Sequence, residues 1–544
     1  MLKSVARCSS PLFGVCLLGL TMPVSLAFAA ACVVPPAAAP TPLDAATKRT
    51  VVITDPAILN HATLGFSLGR TLGNIIRTTP NMVDSPAERI ALLTTLVRSF
   101  RAINHVNADS QVTFPVPVRA AEAALDPIAL LDPANPNGMK PVGLFNRYDL
   151  APADFKTCGE HRIVYAKNSA SPIDRFFIIF EAALDNPKPD LGAEGCRPIA
   201  QFWDSLKGKT GNDLSTALSK FYYDGLAPGI EPVVHFTNYG LPFGQVRGNL
   251  FKQQPWQLRE WRISLAADGA PVFAPITVKT NPFPPLYGGP VSGENSGIAA
   301  LRPAFQAELV SGRVPELVSV DQGGIVNPEA AIDLLFQLGA AFPNKYNGFE
   351  STSQIPPGND DPRTLATPAL KTKVTQRLNQ IGIGSACQLT NEHILNRAGA
   401  LSCGGCHQFT VGKPIAAGVN WPASLGFVQI NEAGALSPAL EQFFLPARQL
   451  NLARHIQAAP PTVAAAAPGG TEAPAAAAAP TAAAPAPGTQ TAVEKLRANA
   501  TSLTTVESRL SAIDLLTEIE KQVQSARAAE QATPGAFVTF RRPH

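Results

Sequence analysis

Residues 161–181 read HRIVYAKNSASPIDRFFIIFE. The runs 161–166 and 175–181 are rich in β-branched and aromatic residues, and the stretch between them is Asn, Ser, Pro and Asp, which reads as strand, loop, strand. Similar strand-like runs stand at 50–54 (TVVIT), 112–118 (VTFPVPV), 231–236 (EPVVHF), 260–265 (EWRISL) and 271–279 (PVFAPITVK). Helical periodicity is interleaved with them. Residues 84–106 carry a cap at Asp84 or Ser85, Pro86 in the first turn and an apolar face through Ile90, Leu93, Leu96, Val97, Phe100 and Ile103; residues 195–207 and 212–224 follow. From about residue 298 the β signal fades, and helical spacing recurs at 298–310, 328–342, 363–382, 389–401 and 437–457. The fold class expected is α+β: a mixed α/β domain over 47–297, then a mostly helical region over 298–457.

The ends read differently. Lys3 and Arg7 precede an apolar run over 11–31 that closes on small residues at Ala27–Ala29, the pattern of an export signal over 1–31. A Pro/Ala leader over 32–46 follows, and the expected location is periplasmic or extracellular. Cys32, after three alanines, is a candidate lipid anchor, although Ala29 occupies the place where a lipoprotein signal carries Leu. No later segment has the ~18 uninterrupted apolar residues of a spanning helix. Residues 458–490 hold one charged residue, Glu472, and read as a disordered linker. Over 491–544 an apolar stripe from Val493 through Leu503, Leu510 and Leu516 to Val523 predicts an amphipathic helix that docks on the body, on a second copy or on a partner. Lys and Arg total 44 against 41 Asp and Glu, a formal +3, so no field favours nucleic acid or another polyanion.

The most specific motif is Leu401-Ser402-Cys403-Gly404-Gly405-Cys406-His407-Gln408, which contains CxxCH. In c-type heme attachment the two cysteines form thioethers and the following histidine reaches the iron. Cys403 and Cys406 are thus expected to anchor one covalent heme c, with His407 as proximal ligand. The role expected is redox or electron transfer with a partner protein. A disulfide or redox CxxC, or a zinc site, are the alternatives. All four methionines lie upstream of the motif, so His455 is the local candidate for a sixth iron ligand, ahead of His544 and His393. An open sixth site would make the protein a heme oxidoreductase. Residues 387–457 resemble a small c-type cytochrome domain. The resemblance implies a helix leading into CxxCH, an apolar loop wrapping the macrocycle, and a terminal helix packing back.

Other cysteines and weaker signals complete the reading. Cys158 and Cys196 are expected to form a disulfide in an exported chain. Cys387 is left to pair with an unlipidated Cys32, to stay a buried thiol, or to join Cys403, Cys406 and His407 around zinc. Gly65-Phe66-Ser67-Leu68-Gly69 matches GxSxG but lacks a preceding strand, so Ser67 is read as a helical serine. Residues 145–152 (FNRYDLAP) and 158–165 (CGEHRIVY) resemble uncharacterised secreted bacterial proteins with a late CxxCH, a likeness that implies no activity. Asp149, Glu160 and His161 form either an acid/base site or, preferably, part of an ion-paired network fixing a loop to the sheet.

Overall fold

A computed structural model describes residues 32–33, 41–169, 171, 173–240, 243–289, 296–322, 342–353 and 360–457. The export signal, leader residues 34–40, the helix expected at 328–342, the linker, the C-terminal helix and His544 lie outside these residues, in whole or in large part. Helices and an antiparallel sheet are both present, as a mixed α+β class requires.

The sheet is the centre of the molecule. Its strands are β1 (Val52–Ile53), β2 (Met139–Arg147), β3 (Thr157–Lys167), β4 (Phe176–Asp185), β5 (Gln245–Leu250), β6 (Gln257–Leu265), β7 (Pro271–Ile276) and β8 (Ser351–Thr352). The spatial order is β1-β2-β3-β4-β5-β6-β8, every pairing is antiparallel, and β7 shares the far edge of β6 with β8. The opening stretch forms β3 and β4, the central pair, with Ile163 opposite Phe180 and Tyr165 opposite Ile178.

Side chains alternate across a strand, and here both faces are covered. Leu144, Ile163, Tyr165, Ile178, Phe180, Val246 and Trp261 point to one face. They pack beneath α1 (Leu68–Thr78), α2 (Pro86–Ser99), α3 (Arg197–Ser205) and α4 (Gly211–Tyr223). Phe145, Val164, Ala166, Phe177 and Leu258 point to the other. That face is covered from the second half of the chain, which includes α5 (Ser296–Glu308), α6 (Pro368–Ile381), α7 (Asn391–Ala400) and the start of α8 (Leu445–Gln457), whose Leu452 packs in the core of the first face. Burial on both sides explains why Phe176–Phe180 is apolar without alternation.

Several local expectations are revised. The helix expected over 84–106 stops at Ser99, and Asn104–Val106 instead pairs with Thr113–Pro115 as a small separate hairpin. Its start is as read: Ser85 Oγ accepts from the Glu88 N–H at 3.2 Å. Residues 231–236 make no strand, because the Val233 and Val234 N–H groups donate to Phe221 and Tyr222 carbonyls at the end of α4. Ser67 caps α1, accepting from the Arg70 N–H at 3.2 Å, so the GxSxG match is a helix start.

Two disulfides join described residues. Cys158–Cys196 forms as expected, and Cys32 pairs with Cys387 across 355 residues. A sulfur held in a disulfide carries no thioether lipid, so the lipid anchor considered at Cys32 is corrected. The adjacent Val33 is buried and its N–H donates to Asp321 Oδ1 at 3.0 Å. Asp321 in turn forms a fully buried pair with Arg397 Nη1 at 2.6 Å. No described helix is long and apolar enough to cross a membrane. That and the disulfides are compatible with secretion.

Candidate functional site

The CxxCH turn follows α7, whose entry is set by a capping box: Thr390 Oγ1 accepts from the His393 N–H, and His393 Nδ1 accepts from the Thr390 N–H, each at 3.3 Å. His393 is therefore a capping residue. The chain then doubles tightly onto its own helix. A Cβ on Gly405 would lie 1.9 Å from the Gly399 carbonyl oxygen, and one on Gly404 would lie 2.5 Å from that of Thr352 on β8. The two residues between the cysteines are glycines because backbone packs on backbone at both.

The turn holds Cys403 and Cys406 over the second face of the sheet, both as buried free thiols. Trp421 Nε1 donates to the Cys406 carbonyl at 3.2 Å, and Gln429 Nε2 reaches the same carbonyl at 3.3 Å and Cys406 Sγ at 3.6 Å. His407 is partly buried, with Nδ1 2.9 Å from the Phe427 carbonyl oxygen. Burial lowers the His407 pKa to about 4, aided by Arg247 and Arg162 against the raising effect of the Phe427 hydrogen bond, so the ring is neutral at neutral pH. Burial pushes the Cys406 thiol up to about 12 and the Cys403 thiol higher still.

Between this turn and the sheet lies a hollow with about 750 Å³ of space not filled by atoms. One part of its wall is apolar: Phe145, Val164, Phe177, Ile179 and Leu258 from the sheet, with Val428, Ile430, Leu440 and Phe444 opposite. Charged residues are interleaved with these, Arg147, Arg162, Arg247 and Arg448 beside a single acid, Glu181, with Phe145 opposite Arg162 and Ile179 opposite Arg247 in register. Alternation puts them there: Arg147 follows Phe145 by two residues, Arg162 precedes Val164 by two, and Glu181 follows Ile179 by two.

Buried arginines need partners, and Glu181 in the wall and acids behind it supply them. Arg147 grips Asp149 with Nε at 3.0 Å and Nη2 at 2.8 Å, while Arg448 approaches Asp149 at 3.9 Å. Arg162 pairs with Glu160 at 2.6 Å and Glu181 at 3.0 Å. Arg247 pairs with Glu181 at 3.3 Å and Glu260 at 2.8 Å, and Lys279 pairs with Glu160 at 3.4 Å. Burial raises the Asp149 and Glu160 pKa values, but the neighbouring cations outweigh it and hold both below the usual carboxylate range. The residues named are five cations (Arg147, Arg162, Arg247, Arg448, Lys279) and four anions (Asp149, Glu160, Glu181, Glu260), an excess of one positive charge.

Several sequence expectations are corrected by this geometry. The covalent heme c does not stand: among the described residues no group of three or more His, Cys, Asp or Glu side chains is placed to hold a metal ion. The proposed sixth ligand is elsewhere. His455 packs its ring on Tyr148 at 4.8 Å and Phe155 at 5.9 Å between centroids and does not line the hollow. The zinc set fails on the same ground, and Cys387 is already bonded to Cys32. The CxxC disulfide alternative is not formed, since both sulfurs are free. Of the closing helix expected over 437–457, Leu440, Phe444 and Arg448 line the hollow together with the motif, while α8 also lies against α3 and residues 148–150, with Arg197 Nη1 donating to the Ile456 carbonyl at 2.7 Å.

Asp149, Glu160 and His161 are not brought together as a site. His161 points to the opposite face of the sheet, where Nδ1 accepts from Trp203 Nε1 at 3.1 Å. Asp149 and Glu160 belong to the ion network, the reading preferred for them. Sequence reasoning missed Arg247, Asn249, Glu181, Glu260 and Arg448 as wall or network residues. The available signal was charge at alternate positions of strands otherwise built for burial. No protein-family profile, curated protein or solved structure matches the chain.

Proposed function

We propose that this protein is an exported binding protein whose hollow takes a small molecule with an apolar body and an anionic end. The observation that carries the reading is the mixed wall, nine apolar side chains together with four arginines against one glutamate. Binding sites typically combine a mostly apolar cleft with a few convergent polar groups, and the lining of this hollow has that composition. Guanidinium groups present fixed forks of donors that match a carboxylate. The elevated thiol pKa values favour this over thiolate chemistry, because nucleophilic or redox-active CxxC cysteines have lowered ones.

In this reading the ion network holds the arginines in place before the ligand arrives, and the CxxCH turn forms the roof. Trp421 and Gln429 anchor that roof through the Cys406 carbonyl. The test uses two probes: 1-anilinonaphthalene-8-sulfonate, an aromatic body with one sulfonate, and decanoate. The full chain should bind the fluorescent probe saturably at one site, and decanoate should displace it. Val428→Trp, which fills the hollow from its wall, should abolish binding, and Arg448→Gln should weaken it while leaving circular dichroism unchanged. Absence of saturable binding, or displacement indifferent to both substitutions, would overturn the reading.

A further inference from the structure

The hollow is largely enclosed. Most side chains that line it are buried, and Arg162, Ile179, His407 and Gln429 are partly exposed. Passage in or out therefore needs part of the wall to move. The strands are tied by their ladders, and Gly404 and Gly405 wedge the CxxCH turn against neighbouring backbone. The wall also includes Val428, Gln429 and Ile430, three consecutive residues in the irregular stretch 423–439. The ends of that stretch meet: the Ala439 N–H donates to the Ala423 carbonyl at 3.0 Å, beside Pro438 and Pro422. Inside it the Leu425 N–H donates to Val428 at 2.8 Å, Ser437 to Gln429 at 2.9 Å, and Asn431 to Ala435 and Gly434 to Asn431 at 3.0 Å. Among the described residues, the backbone hydrogen bonds of 424–436 close within the loop itself. A loop with joined ends and its own internal bonds moves as one body.

Side chains, not a backbone ladder, fasten this loop to the body. Phe427 holds φ at 68°, a region phenylalanine rarely adopts, yet its ring is buried against Phe251 and Trp256 at 6.0 and 6.4 Å between centroids. Its carbonyl accepts from Asn249 Nδ2 at 3.0 Å, and His407 Nδ1 lies 2.9 Å from the same oxygen. At the outer edge Arg175 Nε pairs with Glu432 Oε1 at 2.5 Å, and its Nη1 donates to the Gly426 carbonyl at 3.4 Å. We infer that residues 423–439 are the lid of the hollow, swinging from the Ala423–Ala439 closure, with Phe427 as the inner latch and Arg175–Glu432 as the outer one. The inference rests on the reading of the hollow above for what the lid admits. Lids that close over ligands are drawn from segments of low local stability, and strain held in place by surrounding contacts favours release.

The buried thiols report the opening without any ligand. Cys403 and Cys406 are free, and Gln429 Nε2 on the lid lies 3.6 Å from Cys406 Sγ. The full chain is treated with N-ethylmaleimide, and labelling of the two cysteines is followed by peptide mass spectrometry. In wild type the rate should be nearly independent of urea below the unfolding transition, because a local opening exposes little surface. Glu432→Gln, outside the hollow, should raise the rate about fivefold, the value of one part-buried ion pair. It should speed association and release of 1-anilinonaphthalene-8-sulfonate by the same factor and leave Kd unchanged, since the latch is closed with and without ligand. Labelling that follows global unfolding in urea overturns the inference, as does labelling of Glu432→Gln at the wild-type rate. If the thiols label by local opening but the probe does not bind, the lid stands and the reading of the hollow as a ligand site fails. The urea dependence of wild type decides the matter even if the variant does not fold.

Discussion

Opening the Cys32–Cys387 bridge is the perturbation whose outcome the structure specifies most fully. The bridge spans 355 residues, against 38 for Cys158–Cys196. The chain-entropy relation gives about 6 kcal/mol for the longer span and about 4 kcal/mol for the shorter, and measured bridges usually deliver less. A local contribution adds to it. Release of Cys32 frees Val33, whose burial is worth about 1.5 kcal/mol and whose N–H donates to the Asp321 carboxylate. A loss of about 3–5 kcal/mol is therefore expected for Cys32→Ser. Cys387→Ser and the double variant should lose the same amount, because either substitution opens the same loop. The assay is urea unfolding of exported protein under non-reducing conditions, followed by tryptophan fluorescence, with peptide mapping of the bridge by mass spectrometry. Two results would refute the reasoning: variants that unfold at the wild-type urea concentration, or a Cys32 peptide bearing lipid in place of Cys387.

The remaining predictions concern single sites. His161 is held neutral by burial, its pKa lowered to about 3, so the stability it contributes is full above the unfolded value of about 6.5 and is lost as pH falls below it. The stability difference between wild type and His161→Asn, measured by urea titration, should shift against wild type by about 2 kcal/mol between pH 7.5 and pH 5. Gly405→Ala drives a methyl group against the Gly399 carbonyl and should destabilise by at least about 2 kcal/mol and weaken probe binding, whereas Gly208→Ala meets open space and should do neither. Arg397→Met strands the buried Asp321 carboxylate and should cost about 3–5 kcal/mol in thermal or urea unfolding. Adding Asp321→Leu should recover part of that loss; a double variant as unstable as the sum of the singles would contradict the pairing.

Local chemistry made much of the fold legible. β3 and β4 declare themselves by β-branched and aromatic runs, Ser85 and Thr390 by their place before an apolar period, and Cys158 and Cys196 as a pair in an exported chain. β2 and β5 stayed hidden for a physical reason. MKPVGLFNR and QVRGNL mix glycine and charge into short strands, and their strand character comes from neighbours on both sides rather than from propensity. EPVVHF failed in the opposite direction: good strand residues whose backbone groups found helix carbonyls first.

The sequence alone determined a mixed α and β chain and the residues of the CxxCH turn; the need for two glycines between its cysteines came from the Thr352 and Gly399 backbone packed against them. Which side chains face that turn was decided by tertiary structure. Strand alternation assigns Arg147, Arg162, Glu181, Arg247 and Asn249 to one face, but only the docking of the second half of the chain makes that face the wall of a hollow. The same docking leaves His455 against Tyr148 and Phe155 and ties Cys387 to Cys32. Spacing in a motif fixes what neighbours along the chain can reach; what lies opposite is set by the packing of segments hundreds of residues apart, where burial acts on whole faces.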